Sequence, residues 1–174
     1  MQKAIFLDRD GVINIEKNYL YKIEDFEFVD GVFDALTYLQ DKGYLLFIIT
    51  NQSGIARGYY SLEDFNTLTK WMNDEFKQRD ITISQVELCP HGPNDNCKCR
   101  KPKTLMIENI LKNYNIDLEK SWLIGDKLSD IRCAQNANIQ NTIQVKSGHV
   151  FNENDSIANF ILNSIKDIKT IIKS

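Results

Sequence analysis

Short apolar runs recur along this chain, and helix-period segments separate them. The runs lie at Ala4–Leu7, 44–49, 86–88, 122–124 and 142–145. A strand that is apolar on successive residues has both of its faces buried. Such strands occur in parallel sheets sandwiched between helical layers. The segments between them carry the helical spacing. Val32, Ala35, Leu36 and Leu39 stand at i, i+3, i+4 and i+7 within 31–42, and Gly43 follows as a stop. Ser61 opens a second helix, with Asp64 three residues on in an imperfect capping box, and Phe65, Leu68, Trp71, Met72 and Phe76 form its stripe. Ile107, Ile110, Leu111 and Tyr114 mark a third helix over 105–114, and 127–137 reads as a fourth. The tail, 157–172, reads as helical with a short strand near 160–162. The polar and aromatic stretch 13–28 has no clear period and reads as a hairpin or flap.

These elements fit one α/β domain spanning 1–174, long enough for a sizeable core. The net charge of −3 supplies no basic field, so neither nucleic acid nor a membrane surface is an expected partner, and the chain is expected to act as a monomer. The longest apolar run is too short to cross a bilayer. Met1-Gln2-Lys3 leads directly into the first strand with no apolar leader, so the expected compartment is the cytoplasm. There, the four cysteines are expected to be free or metal-bound rather than disulfide-bonded.

In an open parallel sheet the site lies outside the carboxyl ends of the strands. Asp8, Thr50, Cys89 and Asp126 each follow immediately on an apolar run, so several strands deliver polar residues to one edge. Asp8 and Asp10 leave the first strand on the same side. Together with Asp126 they supply the oxygen ligands that a hard divalent cation such as Mg²⁺ takes. That cation would draw in a phosphate; one carboxylate would be placed to attack phosphorus, and its neighbour to move protons. Thr50 is a candidate hydrogen-bond donor to the phosphoryl group and Lys101 a candidate cation. Asp130, four residues after Asp126, is placed to stack beneath it on the helix, and a solvated helix face explains it about as well. Cys133 and His149 read as ordinary packing and loop residues.

A second constellation is Cys89-Pro90-His91 followed by Cys97-Lys98-Cys99. Three thiols and an imidazole within this short stretch match a closed tetrahedral Zn²⁺ site. Four protein ligands leave no open position, so the expected zinc is structural and staples the loop. Arg100 and Lys101 follow directly, so the staple aims two cations at the site.

With these residues in view, Asp8-Arg9-Asp10-Gly11, Thr50-Asn51-Gln52, Lys101 and Gly125-Asp126-Lys127 resemble the motifs of the haloacid dehalogenase superfamily of phosphatases. The zinc loop ending in Arg100-Lys101-Pro102, together with the stretch from Thr50 to Gly58, is similar to the branch that acts on heptose bisphosphates and histidinol phosphate. The resemblance implies a three-layer Rossmann-like fold with loops in place of a large cap domain. It implies Asp8 as nucleophile and Asp10 as general acid/base. Mg²⁺ would be held by the Asp8 carboxylate, the Asp10 carbonyl and Asp126, with Thr50 and Lys101 on the phosphoryl group. Sugar contacts are expected from Glu16, Lys17, Asn18 and Tyr19 of the flap, and from Asn51, Gln52, Ser53, Arg100 and Lys127. The activity implied is removal of the C7 phosphate of a heptose 1,7-bisphosphate, feeding nucleotide-activated heptose for surface polysaccharide. Histidinol phosphate is the alternative substrate. A sugar-phosphate-binding or zinc-scaffold protein without catalysis is the alternative of another class, and the intact Asp10 speaks against it.

Overall fold

The structure, a computed structural model, describes residues 1–173. Its strands are β1 (Ala4–Leu7), β2 (Leu45–Asn51), β3 (Ile83–Cys89), β4 (Trp122–Gly125), β5 (Asn141–Val145) and β6 (Phe160–Leu162). Its α-helices are α1 (Val32–Asp41), α2 (Leu62–Lys77), α3 (Leu105–Asn113) and α4 (Leu128–Asn136). The six strands form one sheet in the order β3-β2-β1-β4-β5-β6, and every neighbouring pair is parallel. From β1 the chain steps outward to β2 and β3, then returns across β1 to β4. The switch point therefore lies between β1 and β4, where doubly wound sheets open a crevice.

The alternation of β1 divides the core into two layers. Ile5 and Leu7 pack with Val32, Leu36 and Leu39 of α1 and with Leu68, Met72 and Phe76 of α2. Ala4 and Phe6 face the other way, toward Met106, Ile107 and Ile110 of α3 and Cys133 and Ala134 of α4. Phe6 stacks on Phe47 across the β1–β2 pair, with ring centroids 5.4 Å apart. Burying each such side chain contributes about 1.5–3 kcal/mol. Helices thus cover both faces, as the apolar strands require.

Several boundaries differ from the sequence expectations. Strand β2 continues past its apolar run through Thr50 and Asn51, which pair with Leu88 and Cys89. Strand β3 begins at Ile83; its polar Ser84, Gln85 and Glu87 suit a half-exposed edge strand and hid its length. The capping box of α2 is complete: Ser61 Oγ accepts from the Asp64 amide (3.0 Å), and Asp64 Oδ2 accepts from the Ser61 amide (2.8 Å). The tail carries the short strand expected near 160–162 but not the expected long helix. It forms β6 and then a 3₁₀ helix over Ile165–Thr170. Asn159 decides this, because its Oδ1 accepts from both the amide and the hydroxyl of Thr142 and so clips the chain beside β5. The stretch 13–28 is a flap whose base is closed by Ile15 N–H to the Glu27 carbonyl and Val29 N–H to the Ile13 carbonyl.

Candidate active site

Asp8 follows β1 and Asp126 follows β4, so the two flank the switch point. Asp130 enters from the first turn of α4, and one carboxylate oxygen from each of Asp8, Asp126 and Asp130 lies within 4.8 Å of the others. Lys101 reaches the same spot from the zinc loop. Its Nζ lies 3.0 Å from Asp8 Oδ1, 2.6 Å from Asp130 Oδ1 and 2.9 Å from the Ile49 carbonyl. Burial opposes the charge on Lys101, but Asp130 and Asp8 outweigh it and hold the ammonium above the ordinary lysine range. Burial pushes the Asp8 carboxyl well up; Lys101 pulls it down, while Asp130, Asp126 and Asp10 add to the rise. One lysine does not neutralise three buried carboxylates. Asp126 Oδ1 is buried with no hydrogen-bond partner, whereas Oδ2 accepts from both the backbone amide and Nδ1 of His149 at 2.8 Å. A surplus of buried oxygen charge with an orphaned carboxylate oxygen fits a hard divalent cation.

The Asp10 carboxylate is engaged differently. Its Oδ1 accepts from Arg9 Nη2 and Asn14 Nδ2, both at 3.0 Å, and its Oδ2 accepts from Arg9 Nη2 (3.2 Å) and Gln52 Nε2 (3.1 Å). Burial would raise its pKa, but the Arg9 charge and the hydrogen bonds from Asn14, Arg9 and Gln52 hold it below the usual carboxylate range. Arg9 itself is buried, and its Nη2 also donates to the Leu20 carbonyl of the flap (3.1 Å). Thr50 is fully buried, and its Oγ1 accepts from Gln52 Nε2 at 2.8 Å. The Tyr60 hydroxyl donates to Gln52 Oε1, which fixes the amide so that its nitrogen serves both Thr50 and Asp10.

The zinc-loop residues converge. Ligand atoms of Cys89, His91, Cys97 and Cys99 all lie within 4.8 Å of one another. Cys89 Sγ is 2.8 Å from Cys99 Sγ and 3.7 Å from Cys97 Sγ, and His91 Nδ1 is 3.3 Å from Cys99 Sγ. Three thiols and a ring nitrogen gathered this closely suit a closed tetrahedral zinc site. Cys89 anchors the cluster on the end of β3. On the far side of the loop, the Lys101 amide donates to Asn51 Oδ1 at 3.1 Å, tying the cation-bearing end to β2.

Beyond the carboxylates opens a cavity of about 240 Å³ lined by Asp10, Glu16, Asn18, Tyr19, Gln52, Ser53, Arg57, Arg100, Lys127 and His149, among others. Glu16, Asn51, Lys101 and Lys127 also line the inner recess beside Asp8. Asn18 and Tyr19 are both in the left-handed backbone region (φ 51° and 61°), a strained pair of the kind that collects at functional sites. Tyr19 meets Tyr59 edge-on at 4.8 Å, and the Arg57 guanidinium lies 5.8 Å from the Tyr19 ring. Lys17 is the flap residue not brought to the cavity; it pairs with Glu27 at 2.9 Å on the outside.

Sequence reasoning gives Arg9 and His149 no role and leaves Asp130 open between a place beneath Asp126 and a solvated face. Asp130 is buried, so the solvated-face reading of it is corrected. Its signal was the position on α4, one turn after Asp126. Arg9 was legible only as a charged residue between two aspartates. His149 had no signal, because its contact with Asp126 depends on how the loop after β5 returns to the sheet edge.

A family model described as HAD-hydrolase-like matches residues 98–168. The chain is 43% identical over 180 residues to the D-glycero-beta-D-manno-heptose-1,7-bisphosphate 7-phosphatase of Pasteurella multocida, covering 99% of this chain and 98% of that one. It is 48% identical over 169 residues to the D-glycero-alpha-D-manno-heptose-1,7-bisphosphate 7-phosphatase of Campylobacter jejuni, covering 95% and 96%. Among solved structures, the D,D-heptose 1,7-bisphosphate phosphatase from B. bronchiseptica, complexed with magnesium and phosphate, matches with a TM-score of 0.82 and 27% identity, over 97% of this chain and 96% of that one. With this identity sustained along nearly the whole length of its relatives, the chain belongs to the heptose-1,7-bisphosphate 7-phosphatase family of haloacid-dehalogenase-like hydrolases.

Proposed function

We propose that this chain hydrolyses the C7 phosphate of D-glycero-D-manno-heptose 1,7-bisphosphate through an aspartyl-phosphate on Asp8. The observation that carries the reading is the buried grouping of Asp8, Asp126 and Asp130, with Lys101 paired to Asp8 and Asp130, beside an Asp10 held by its own set of donors. Mg²⁺ held by Asp8, Asp126 and the Asp10 carbonyl, with Asp130 alongside, would neutralise charge on the phosphoryl oxygens. A carboxylate oxygen of Asp8 attacks phosphorus as the bond to the C7 oxygen breaks, and Asp10 delivers the proton to that oxygen. A water deprotonated by Asp10 then attacks the phosphorus, releasing inorganic phosphate and restoring Asp8. Asp10 rests as a carboxylate, and a phosphate arriving beside it adds negative charge that raises its affinity for the proton. Lys101 and Thr50 steady the transferring group.

The outer cavity suits the rest of a bisphosphate. Arg57, Arg100 and Lys127 border it, and a guanidinium fork matches the oxygens of a second phosphate. Histidinol phosphate carries an amine and no second phosphate, so these cations favour the sugar bisphosphate. Zinc in the thiol cluster has a structural part, fixing the loop that presents Arg100 and Lys101. The product keeps its anomeric phosphate and suits activation by a nucleotide for surface polysaccharide. The relatives include enzymes named for each anomer. The test is phosphate release from both anomers and from histidinol phosphate, with Asp8→Asn as control. A clear preference for histidinol phosphate in kcat/KM would end the heptose reading, and no release from any of them would favour a binding protein.

A further inference from the structure

The loop between β5 and β6 does more than connect strands. Ser147 Oγ donates to the Gly11 carbonyl at 2.7 Å, tying the loop to the turn after β1. Gly148 is seated so closely on Asp126 that a Cβ there would lie 2.2 Å from Asp126 Oδ2. A Cβ on Gly11, which has φ +89°, would lie 2.6 Å from the same oxygen. Two glycines from separate elements thus close around one carboxylate. His149 completes the enclosure, placing its backbone N–H and its Nδ1 on Asp126 Oδ2 at 2.8 Å each. The Gln144 amide adds a donor to the Asp126 carbonyl at 3.3 Å. Every contact to the carboxylate falls on Oδ2, while Oδ1 is buried and has no partner.

We propose that His149 is a positioning residue for the cation site: it pins Asp126 Oδ2 so that Oδ1 is presented, desolvated and unencumbered, to the divalent cation. A carboxylate with one oxygen held and the other bare offers a cation a single fixed ligand, and groups that hold metal ligands this way typically contribute about 10–100-fold in affinity. The His149 side chain is 45% exposed, so packing is a weak explanation for its place. Its Nδ1 carries the hydrogen in this arrangement, because the carboxylate oxygen it meets can only accept. The inference rests on the Mg²⁺ reading of the site.

The test is direct binding of Mn²⁺, followed by electron paramagnetic resonance on full-length, zinc-loaded protein freed of other divalent cations. His149→Ala loses the ring donor but keeps the backbone one, and its Mn²⁺ Kd is expected to rise about tenfold. Asn places its amide nitrogen where Nδ1 stands, so His149→Asn is expected to restore most of that affinity. His149→Gln places its nitrogen one bond further out and is expected not to. Thermal melts of the three variants without Mn²⁺ are expected to match the parent, since the ring is half outside. A parent that binds Mn²⁺ with a Kd shared by His149→Ala overturns the role of His149 and leaves the metal site standing. Equal weakening by Ala, Asn and Gln also overturns it, because the Nδ1 donor would then not be what matters. A parent that binds no Mn²⁺ overturns the metal reading, and this inference with it.

Discussion

Lys101 Nζ stands 2.6 Å from Asp130 Oδ1, and both side chains are almost wholly buried. Asp130 therefore shares the one ammonium in the carboxylate group with Asp8, and also accepts the Lys127 amide through Oδ2 at 3.0 Å. Removing one partner of a buried ion pair costs about 3–5 kcal/mol when the other is stranded. Here Asp8 remains beside Lys101, so Asp130→Asn is expected to fold, with a lowered melting temperature. Because the ammonium then keeps Asp8 and the Ile49 carbonyl but loses the charge of Asp130, kcat/KM is expected to fall about tenfold to a hundredfold. Thermal unfolding and steady-state kinetics on the same preparation check both; an unchanged kcat/KM would show that Asp130 serves stability alone.

The case of Asp130 also shows how far the sequence could be read. Asp8 and Asp126 announce themselves because each ends an apolar run, and strand ends at a switch point are where a parallel sheet collects chemistry. The cluster of Cys89, His91, Cys97 and Cys99 is legible because its members are close in the chain. Asp130 was ambiguous because helical periodicity alone does not say that α4 turns this residue inward to meet a lysine from a different loop. His149 hides for the same reason, because its partner Asp126 is set by a tertiary contact; the reach of Arg9 to the Leu20 carbonyl is tertiary too, although its ion pair with Asp10 joins chain neighbours. In the tail the short strand near 160–162 is legible, while the isoleucines suggest more helix than the 3₁₀ turns of Ile165–Thr170, and the Asn159 side chain clips the chain beside β5.

Tyr60→Phe isolates the orientation of Gln52. The ring stacks on Tyr21 with centroids 5.3 Å apart and keeps that contact without its hydroxyl. Losing the bond to Gln52 Oε1 frees the amide to turn its oxygen toward Asp10, which would set two acceptors against each other. A hydrogen bond contributes about 0.5–1.5 kcal/mol, so kcat is expected to fall roughly twofold to tenfold with little change in melting temperature. A parental kcat would mean that Arg9 and Asn14 hold Asp10 without help.

The exposed pair Asp30–Lys166, at 2.6 Å, links the entry of α1 to the 3₁₀ helix near the C-terminus. The hydrogen bond and charge of Lys166 lower the Asp30 pKa, and the same bond and charge from Asp30 raise that of Lys166. A lowered carboxyl contributes stability above its unfolded pKa, lost as pH falls through the folded value. A raised lysine contributes stability below its unfolded pKa, lost as pH rises through the folded value. The contribution is therefore present from about pH 4 to about pH 10. Asp30→Asn is expected to melt slightly below the parent at pH 7 in low salt. The two are expected to converge once Asp30 is protonated, and again in about 1 M salt, where screening removes surface pairs. A gap that survives high salt would trace to the backbone around Gly31 rather than to the ion pair.

Zinc removal is expected to act on catalysis through Lys101. Cys97 and Cys99 hold the loop to Cys89 at the end of β3, and Lys101 follows Cys99 by two residues. A loop without metal would lose the staple its thiols form and keep the backbone bonds from Ala56 to the Pro90 carbonyl and from Leu105 to the Lys98 carbonyl, with Lys101 held by Asn51, Asp8 and Asp130. Displacing a catalytic group by about 1 Å costs on the order of 10²-fold in rate. Cys97→Ala, with zinc loss verified by elemental analysis, is therefore expected to lower kcat/KM by a comparable factor. The helical and sheet signal in circular dichroism is expected to persist, because the core layers are built mainly from strands and helices, with Cys97 and Cys99 the loop's contribution to one of them. Substitution is expected to raise KM for the bisphosphate as well, since Arg100 sits between Cys99 and Lys101 and borders the outer cavity. Full activity in verified zinc-free protein would mean that Asn51 and the ion pairs of Lys101 suffice to hold it, and that the thiol cluster serves another end.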